Sequence, residues 1–480
     1  MLQTLRNAWK TPDVRKKILY VLFILLIYRI GTVIPVPFVD ASAFSQNFGN
    51  TIFAYMDVLS GGALSSATLF ALGISPYITA SIILQLLAVA FTRLGEKLKK
   101  DKGLNERITR WLTVGLALIT GFGYYMLLKN NGMISAQITA MNSKAMNWLV
   151  GIVIVACYCA GASLIMWLGE KINENGIGNG ISLILFANIV STIPSMIIRM
   201  GQLIGFAFNG TAVGWNKAGL AALAIGFALV MIAVTIAMTV LVVFVTGSER
   251  RVPVNYAKRV VGRKMYGGQS THLPIKMNMT GVMPIIFASS IISLVPTILT
   301  LCGVAMKESY AECATFWEKM QLFLSSDRWF YPVCLFLMII AFSYFYISIS
   351  FNTVEVANNL KKNGGTIPGI RQGRPTAEFI GAIVRKVTLV GALFLGVVAI
   401  LPIIASPLVI EPIAGKILQN NPTYAYYAQY YASNFKAIVT QYTSTFAFGG
   451  TSLLIVVGVA QETFREIEAQ LTMRNYKGFL

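Results

Sequence analysis

The charge of this chain is segregated, and that limits its fold more than any other feature. Asp, Glu, Lys and Arg make up 12% of the 480 residues, against about a quarter in a soluble protein. They leave free a series of apolar runs near the roughly 20 residues that a membrane-spanning helix needs. The chain reads as an all-α integral membrane protein. Spans are expected at 18–35, 57–92 (broken), 109–128, 148–168, 178–198, 218–246, 279–301, 329–350, 384–403 and 441–461. Assigning the connections alternately to two sides puts 29 Lys and Arg on one side and 9 on the other, with Arg29 in a span interior. The positive-inside rule then places the richer side, both termini included, in the cytoplasm. The basic N-terminus and the apolar run after it read as a retained helix, because no small-residue cleavage site follows.

Two pairs of short segments echo each other in the same order. Gly73-Ile74-Ser75-Pro76-Tyr77-Ile78 matches Gly281-Val282-Met283-Pro284-Ile285-Ile286, and Gly180-Ile181-Ser182-Leu183-Ile184-Leu185 matches Gly450-Thr451-Ser452-Leu453-Leu454-Ile455. Ten spans divide into two sets of five that start from opposite sides, which makes the repeat inverted. The expected halves are residues 1–200 and 201–480, the second carrying long cytoplasmic loops at 248–278 and 351–386. In such proteins the working site lies at the repeat interface, next to interrupted helices.

The second span is unusual. Residues 57–70 include Ser60-Gly61-Gly62-Ala63-Leu64-Ser65-Ser66, and Gly73 and Pro76 follow. Fourteen helical residues rise about 21 Å, short of the roughly 30 Å hydrocarbon core. This stretch is expected to be a half-helix folded into a central cavity, where broken backbone is tolerated; an ordinary kinked helix is the alternative.

Few residues carry chemistry. Pumps keep ionisable groups at midplane, but here Glu170 and Glu462 fall at cytoplasmic ends, and Arg29 is expected to snorkel or to pair with nearby backbone. His272 is the single histidine, and the five cysteines (Cys157, Cys159, Cys302, Cys313, Cys334) show no metal spacing. Free thiols are expected, although Cys302 and Cys313 could pair. Gly176-Ile177-Gly178-Asn179-Gly180 follows no strand and lacks dinucleotide-loop spacing. No enzyme site, metal or cofactor is expected. The basic loops hold Arg250, Arg251, Lys258, Arg259, Arg263, Lys264, Arg371 and Arg374. They suit docking of RNA phosphate or an acidic protein surface, or simply anionic phospholipid.

Ile74 and Ile78 stand four apart, as do Leu185 and Ile189, and the repeat pairs Ile78 with Ile286 and Leu185 with Ile455. Four helices therefore offer branched apolar side chains at symmetry-related positions. A packed core is one reading. The other is a hydrophobic constriction, which closes by dewetting.

The chain resembles the SecY family of protein translocase channels. The resemblance runs from about residue 16 to 480 and rests on several motifs in order. They include Tyr28-Arg29-Ile30-Gly31-Thr32-Val33-Ile34-Pro35-Val36-Pro37, Ser60-Gly61-Gly62-Ala63-Leu64-Ser65, Ala71-Leu72-Gly73-Ile74-Ser75-Pro76-Tyr77-Ile78 and Gly176-Ile177-Gly178-Asn179-Gly180-Ile181-Ser182. Asn255-Tyr256-Ala257-Lys258-Arg259, Gln269-Ser270-Thr271-His272-Leu273-Pro274, Pro368-Gly369-Ile370-Arg371 and Phe448-Gly449-Gly450-Thr451-Ser452-Leu453-Leu454-Ile455 complete the set. The resemblance implies two five-helix halves around an hourglass pore, with a ring of Ile74, Ile78, Leu185, Ile189, Ile286 and Ile455. It implies a plug at about 57–70, represented by Ser60, Gly61, Gly62, Ala63, Leu64 and Ser65. A lateral gate between spans 2–3 and 7–8 is also implied, with docking of the SecA motor or the ribosome (rRNA and ribosomal proteins) on the basic loops, above all at Arg371. Further implied partners are SecE, SecG, signal peptides and nascent chains. Within the resemblance, Ser66 stands where many bacterial members have Arg, and Gln372 where Pro is common. An inverted repeat also fits a secondary solute transporter, which needs a polar midplane pocket; an intramembrane enzyme needs a nucleophile–base set that the spans lack.

Overall fold

Two prolines expected to interrupt apolar helices instead begin them. The computed structural model describes residues 2–40, 60–130, 134, 144–209, 217–256, 259–261, 264–266, 270–301, 304, 315–324, 329–419, 435, 438–439, 443 and 449–477. In it Pro76 is the second residue of a helix at Ser75–Ala90, and Pro284 is the second of one at Met283–Leu301. Proline costs little there, because the first-turn N–H groups of a helix have no partner within it. Gly73 (φ 55°) and Gly281 (φ 64°) turn the chain into these helices from the left-handed region. The capping bonds also match. Tyr77 and Ile78 amides donate to the Ile74 carbonyl, as Ile285 and Ile286 amides donate to that of Val282. The first sequence echo is one local structure used twice.

Along the chain the helices are α1 (Leu2–Lys10), α2 (Pro12–Gly31), α3 (Ser75–Ala90), α4 (Thr92–Lys100), α5 (Lys102–Asn130), α6 (Lys144–Asn175), α7 (Gly180–Asn209) and α8 (Lys217–Gly247). After four strands come α9 (Met283–Leu301), α10 (Phe316–Phe323), α11 (Phe330–Ser350), α12 (Thr353–Lys362), α13 (Arg374–Ala405), α14 (Glu411–Gln419) and α15 (Gly449–Lys477). A helix thus lies in each expected span. Among the described residues, 6 helices are long and apolar enough to cross a membrane, while α3 and the Met283–Pro296 part of α9 are shorter apolar helices. In α8 only 11% of the most apolar window is buried within the protein, so most of that window faces outward. A π-turn at Ser406–Ile410 joins α13 to α14; most of the rest of the expected external segment 404–440 lies outside the described residues, as do Cys302 and Cys313. Cys157, Cys159 and Cys334 are free thiols.

The second span departs from the expected half-helix. From Gly61 to Gly73 the backbone runs through turns, with one isolated bridge between Thr68 and Pro35. Gly61 (φ 70°), Gly62 (φ 85°) and Ala67 (φ 45°) are left-handed, a conformation that no right-handed helix accommodates. Cross-chain bonds replace the helical ones. The Leu69 amide donates to the Ile34 carbonyl at 2.9 Å, and the Val36 amide to the Ala67 carbonyl at 3.1 Å. Tyr124 donates its hydroxyl to the Leu64 carbonyl at 2.7 Å. Residues 60–73 form a strap of turns laid across helices; 57–59 lie outside the described residues.

Neighbouring spans pack in the same order in both parts of the chain: α3 on α5, α5 on α6 and α6 on α7, then α9 on α11, α11 on α13 and α13 on α15. Across them α9 touches α3 and α5, and α15 touches α7 and α2. The second echo marks matching close approaches. Gly180 opens α7 against the Gly169 carbonyl of α6, and Gly450 opens α15 against the Val398 and Ala399 carbonyls of α13. A Cβ at Gly450 would sit 2.6 Å from the Ala399 oxygen, whereas one at Gly115 meets open space. Gly450→Ala is therefore expected to destabilise the protein by about 1–3 kcal/mol. Thermal unfolding in detergent checks this, with Gly115→Ala unchanged.

The loop expected at 248–278 is ordered as strands. β1 (Glu249–Tyr256) pairs antiparallel with β4 (Ser270–Lys276), β5 (Gly365–Thr366) adds to its other edge, and β2 (Arg259–Val261) pairs with β3 (Lys264–Tyr266). Val252 and Val254 alternate inward with Ile275, packing on Ile347, Ile380 and Val384 at the ends of α11 and α13 and on Ile367 just after β5. Period-two burial of branched residues is what a strand with one covered face requires.

Candidate functional site

The sequence singled out six apolar side chains, and the fold brings them to one place. Ile74 and Ile78 come from the start of α3, Leu185 and Ile189 from α7, Ile286 from α9 and Ile455 from α15. All six belong to a single buried cluster that also includes Tyr28, Phe70, Val282, Phe287 and Val459. Their exposures run from 1% for Ile455 to 7% for Ile78 and Ile286. Each α3 or α7 pair shares a face because residues four apart do so on a helix. The prolines at the N-termini of α3 and α9 set where those faces begin, so the local structure of the repeat positions the cluster. Side chains so little exposed touch almost no water.

The strap lies against this cluster. Phe70 stacks on Tyr28 with ring centroids 5.4 Å apart, and Gly31 leaves room for the Phe70 ring. Leu64 belongs to a second cluster with Val36, Tyr124, Tyr125, Leu128 and Tyr158. Ser60, Ala63 and Leu64 are buried, Gly61, Gly62 and Ser65 are half-buried, and Ser66 is exposed. The Ser60 hydroxyl accepts from the Leu64 amide at 3.1 Å. Gly161 on α6 has no side chain where the Leu69 carbonyl passes, so strap and helix meet backbone to backbone.

Two polar features lie here, and sequence reasoning passed over the second. Arg29, expected to snorkel or to pair with nearby backbone, has its Nη1 buried and turned toward Gly61. Asn188 on α7, between Leu185 and Ile189, is fully buried at the same spot. The available signal was an amide side chain within the apolar run 180–201, where no other occurs. Glu170, by contrast, pairs with Arg110 at 2.9 Å, an ordinary tie between the ends of α6 and α5.

The two basic loops share one surface. β5 pairs Thr366 with Asn255 and Gly365 with Tyr256, and Gln372 donates to the Gly365 carbonyl at 3.3 Å. Arg371 is exposed on a turn between Gly369 (φ 80°) and Gly373 (φ 99°), its carbonyl accepting from Thr376 at 2.8 Å. Its guanidinium stands on fixed backbone. Arg250 and Arg251 are exposed on β1, and Arg251 pairs with Glu249 at 2.8 Å. Arg374 pairs with Glu378 at 3.0 Å, so part of its charge is already answered. Arg259 and Lys264 lie on β2 and β3, while Lys258 and Arg263 lie outside the described residues. Burial, and then Arg465 nearby, lower the pKa of Lys276 at the foot of this sheet. His272 is exposed opposite Pro253, and no group of three metal-ligating side chains gathers among the described residues.

Comparison with known proteins shows the family. The family model described as SecY matches residues 68–464. Protein translocase subunit SecY of Streptomyces scabiei is 40% identical, covering 100% of both chains. The protein of the same name from Mycobacterium bovis is 37% identical, again covering 100% of both. A solved structure described as a protein-conducting channel superposes with a TM-score of 0.55 at 16% identity, covering 94% of this chain and 91% of that one. Sec61 from a canine ribosome–channel complex superposes with a TM-score of 0.51 at 15% identity, with the same coverage. A model match over most of the chain, relatives aligned end to end and a shared channel fold make one conclusion: this chain belongs to the SecY family.

Proposed function

We propose that this chain is the pore subunit of a protein translocase in the cell membrane. It passes unfolded polypeptide across the bilayer and releases apolar segments sideways into lipid. The observation that carries this reading is the convergence of six branched apolar residues, from both parts of the sequence, on one buried waist. Ten spans in two inverted halves, 1–200 and 201–480, enclose it, with both termini in the cytoplasm. Ile74, Ile78, Leu185, Ile189, Ile286 and Ile455 form a gasket that deforms around a passing chain and excludes ions. The strap from Ser60 to Gly73 plugs the resting channel. α3 and α9, in contact in this structure, part as the lateral gate.

Partition sets the route. Each central Leu, Ile, Val or Phe favours the bilayer by about 0.3–0.6 kcal/mol, whereas Asp, Lys or Arg disfavours it by about 2.5–3.5 kcal/mol. A signal with about 15 apolar residues therefore leaves through the gate, and a polar chain goes through the waist. The driving energy comes from SecA or the translating ribosome docked on the basic loops, with Arg371 the leading contact. SecE braces the two halves, SecG binds beside them, and anionic phospholipid meets the basic cytoplasmic face.

Vesicles containing this chain and SecE, supplied with SecA and ATP, are expected to take up a radiolabelled preprotein into a protease-protected space. Protection no greater than in vesicles lacking the chain, combined with uptake of a small solute, would favour the transporter instead.

A further inference from the structure

Gly61 sits in a polar pocket at membrane depth. A Cβ on it would lie 3.0 Å from Arg29 Nη1, 3.0 Å from Asn188 Oδ1 and 3.1 Å from Ser191 Oγ. Its φ of 70° disfavours a side chain, and a Cβ would press on these three polar atoms. Asn188 is 0% exposed and stands on α7 between two waist residues, Leu185 and Ile189. Ser191 donates to the Asn188 carbonyl at 2.6 Å, so the two move together. Tyr28, next to Arg29, is also fully buried. The Nη1 of Arg29 is buried without a hydrogen-bond partner among the described residues. Arg29 Nη1 and Asn188 Oδ1 flank one point, so they lie within about 6 Å of each other, a range over which a charge on one would act strongly on the other.

We propose that Arg29, Asn188 and Ser191 form a polar latch that holds the Gly61 turn closed and sets how strong an incoming apolar segment must be to open the waist. This rests on the reading that residues 60–73 seal the channel. Polar groups at this depth have little water to turn to, so they release together rather than slide. The latch shares α7 with the waist, so a segment that pushes Leu185 and Ile189 outward also carries Asn188 away from Gly61. The unanswered Nη1 makes the latch submaximal: it holds the turn but remains openable.

The test uses vesicles containing the full chain with SecE, measuring chloride leak and SecA-driven uptake of preproteins with full or shortened apolar signals. Asn188→Leu and Ser191→Ala are expected to raise leak, and uptake of the shortened-signal preprotein, by about two- to tenfold, the scale of one polar contact weakened. Asn188→Asp, which faces Arg29 with a carboxylate, is expected to act oppositely, with less leak than the unaltered chain and a demand for a stronger signal. A variant lacking residues 60–67 calibrates the leak of an unsealed channel. If that variant leaks while Asn188→Leu and Asn188→Asp change nothing, or change leak in the same direction, the latch is wrong and the seal stands. If that variant does not leak, the sealing role fails and the latch with it.

Discussion

Replacing Ile78 and Ile286 together by Asn is expected to turn a closed channel into a leaking one. The two side chains face the same buried cluster from α3 and α9, each 7% exposed. A buried apolar side chain of this size is worth about 1.5–3 kcal/mol of water exclusion, so each substitution shifts the wet–dry balance by about tenfold or more. An amide also gives water a hydrogen-bonding foothold inside the neck, which a hydrophobic gate depends on denying. Ion flux through resting vesicles is expected to rise by about two orders of magnitude, with preprotein uptake retained or made less signal-dependent. Ile78→Leu with Ile286→Leu keeps the surface apolar at nearly equal volume and is expected to stay tight. Unchanged leak in the Asn pair would reduce the cluster to ordinary core packing.

Reversing the charge at Arg371 is expected to remove motor-driven export while leaving the membrane-embedded part intact. The residue is exposed, and no ion pair to it is present among the described residues, whereas Arg251 and Arg374 already have carboxylate partners. Gly369 and Gly373 fix its turn, so little ordering entropy is lost when a partner engages it. A well-placed interfacial arginine is worth about 2–4 kcal/mol, or at least about 30-fold in affinity. SecA binding to vesicles and preprotein uptake are expected to fall together in Arg371→Glu, with SecE still co-purifying. Arg374→Glu, whose partner is Glu378, is expected to have the smaller effect. Equal losses in both variants would point to a diffuse electrostatic field rather than a docking residue.

What could be read from the chain depended on whether its signal was local. Apolar runs marked where the long helices lie, because lipid leaves a backbone little choice but to form helix. The repeat echoes located the buried apolar cluster, since Gly73–Pro76 and Gly281–Pro284 fix how α3 and α9 begin. The strap was misread because small, Ser-rich residues are compatible with a helix; its left-handed turns at Gly61, Gly62 and Ala67 follow from contacts with residues 34–36 and Tyr124. Those contacts are distant in sequence. The β-sheet was missed for a different reason. Charge dominated the reading of residues 249–256, although Val252 and Val254 alternate there with Arg251, Pro253 and Asn255. Asn188 was overlooked because one amide in an apolar run announces nothing until the fold places Gly61 and Arg29 beside it.

The most direct measurement is site-specific crosslinking to a preprotein arrested midway through export. A photoreactive residue would replace Ile74, Ile78, Leu185, Ile189, Ile286 or Ile455 in turn, with Leu229 on the outward face of α8 as the control. Adducts with the arrested chain are expected from all six positions and not from Leu229. Crosslinks from the six only to neighbouring helices, with the moving chain captured elsewhere, would mean that the polypeptide does not pass between them.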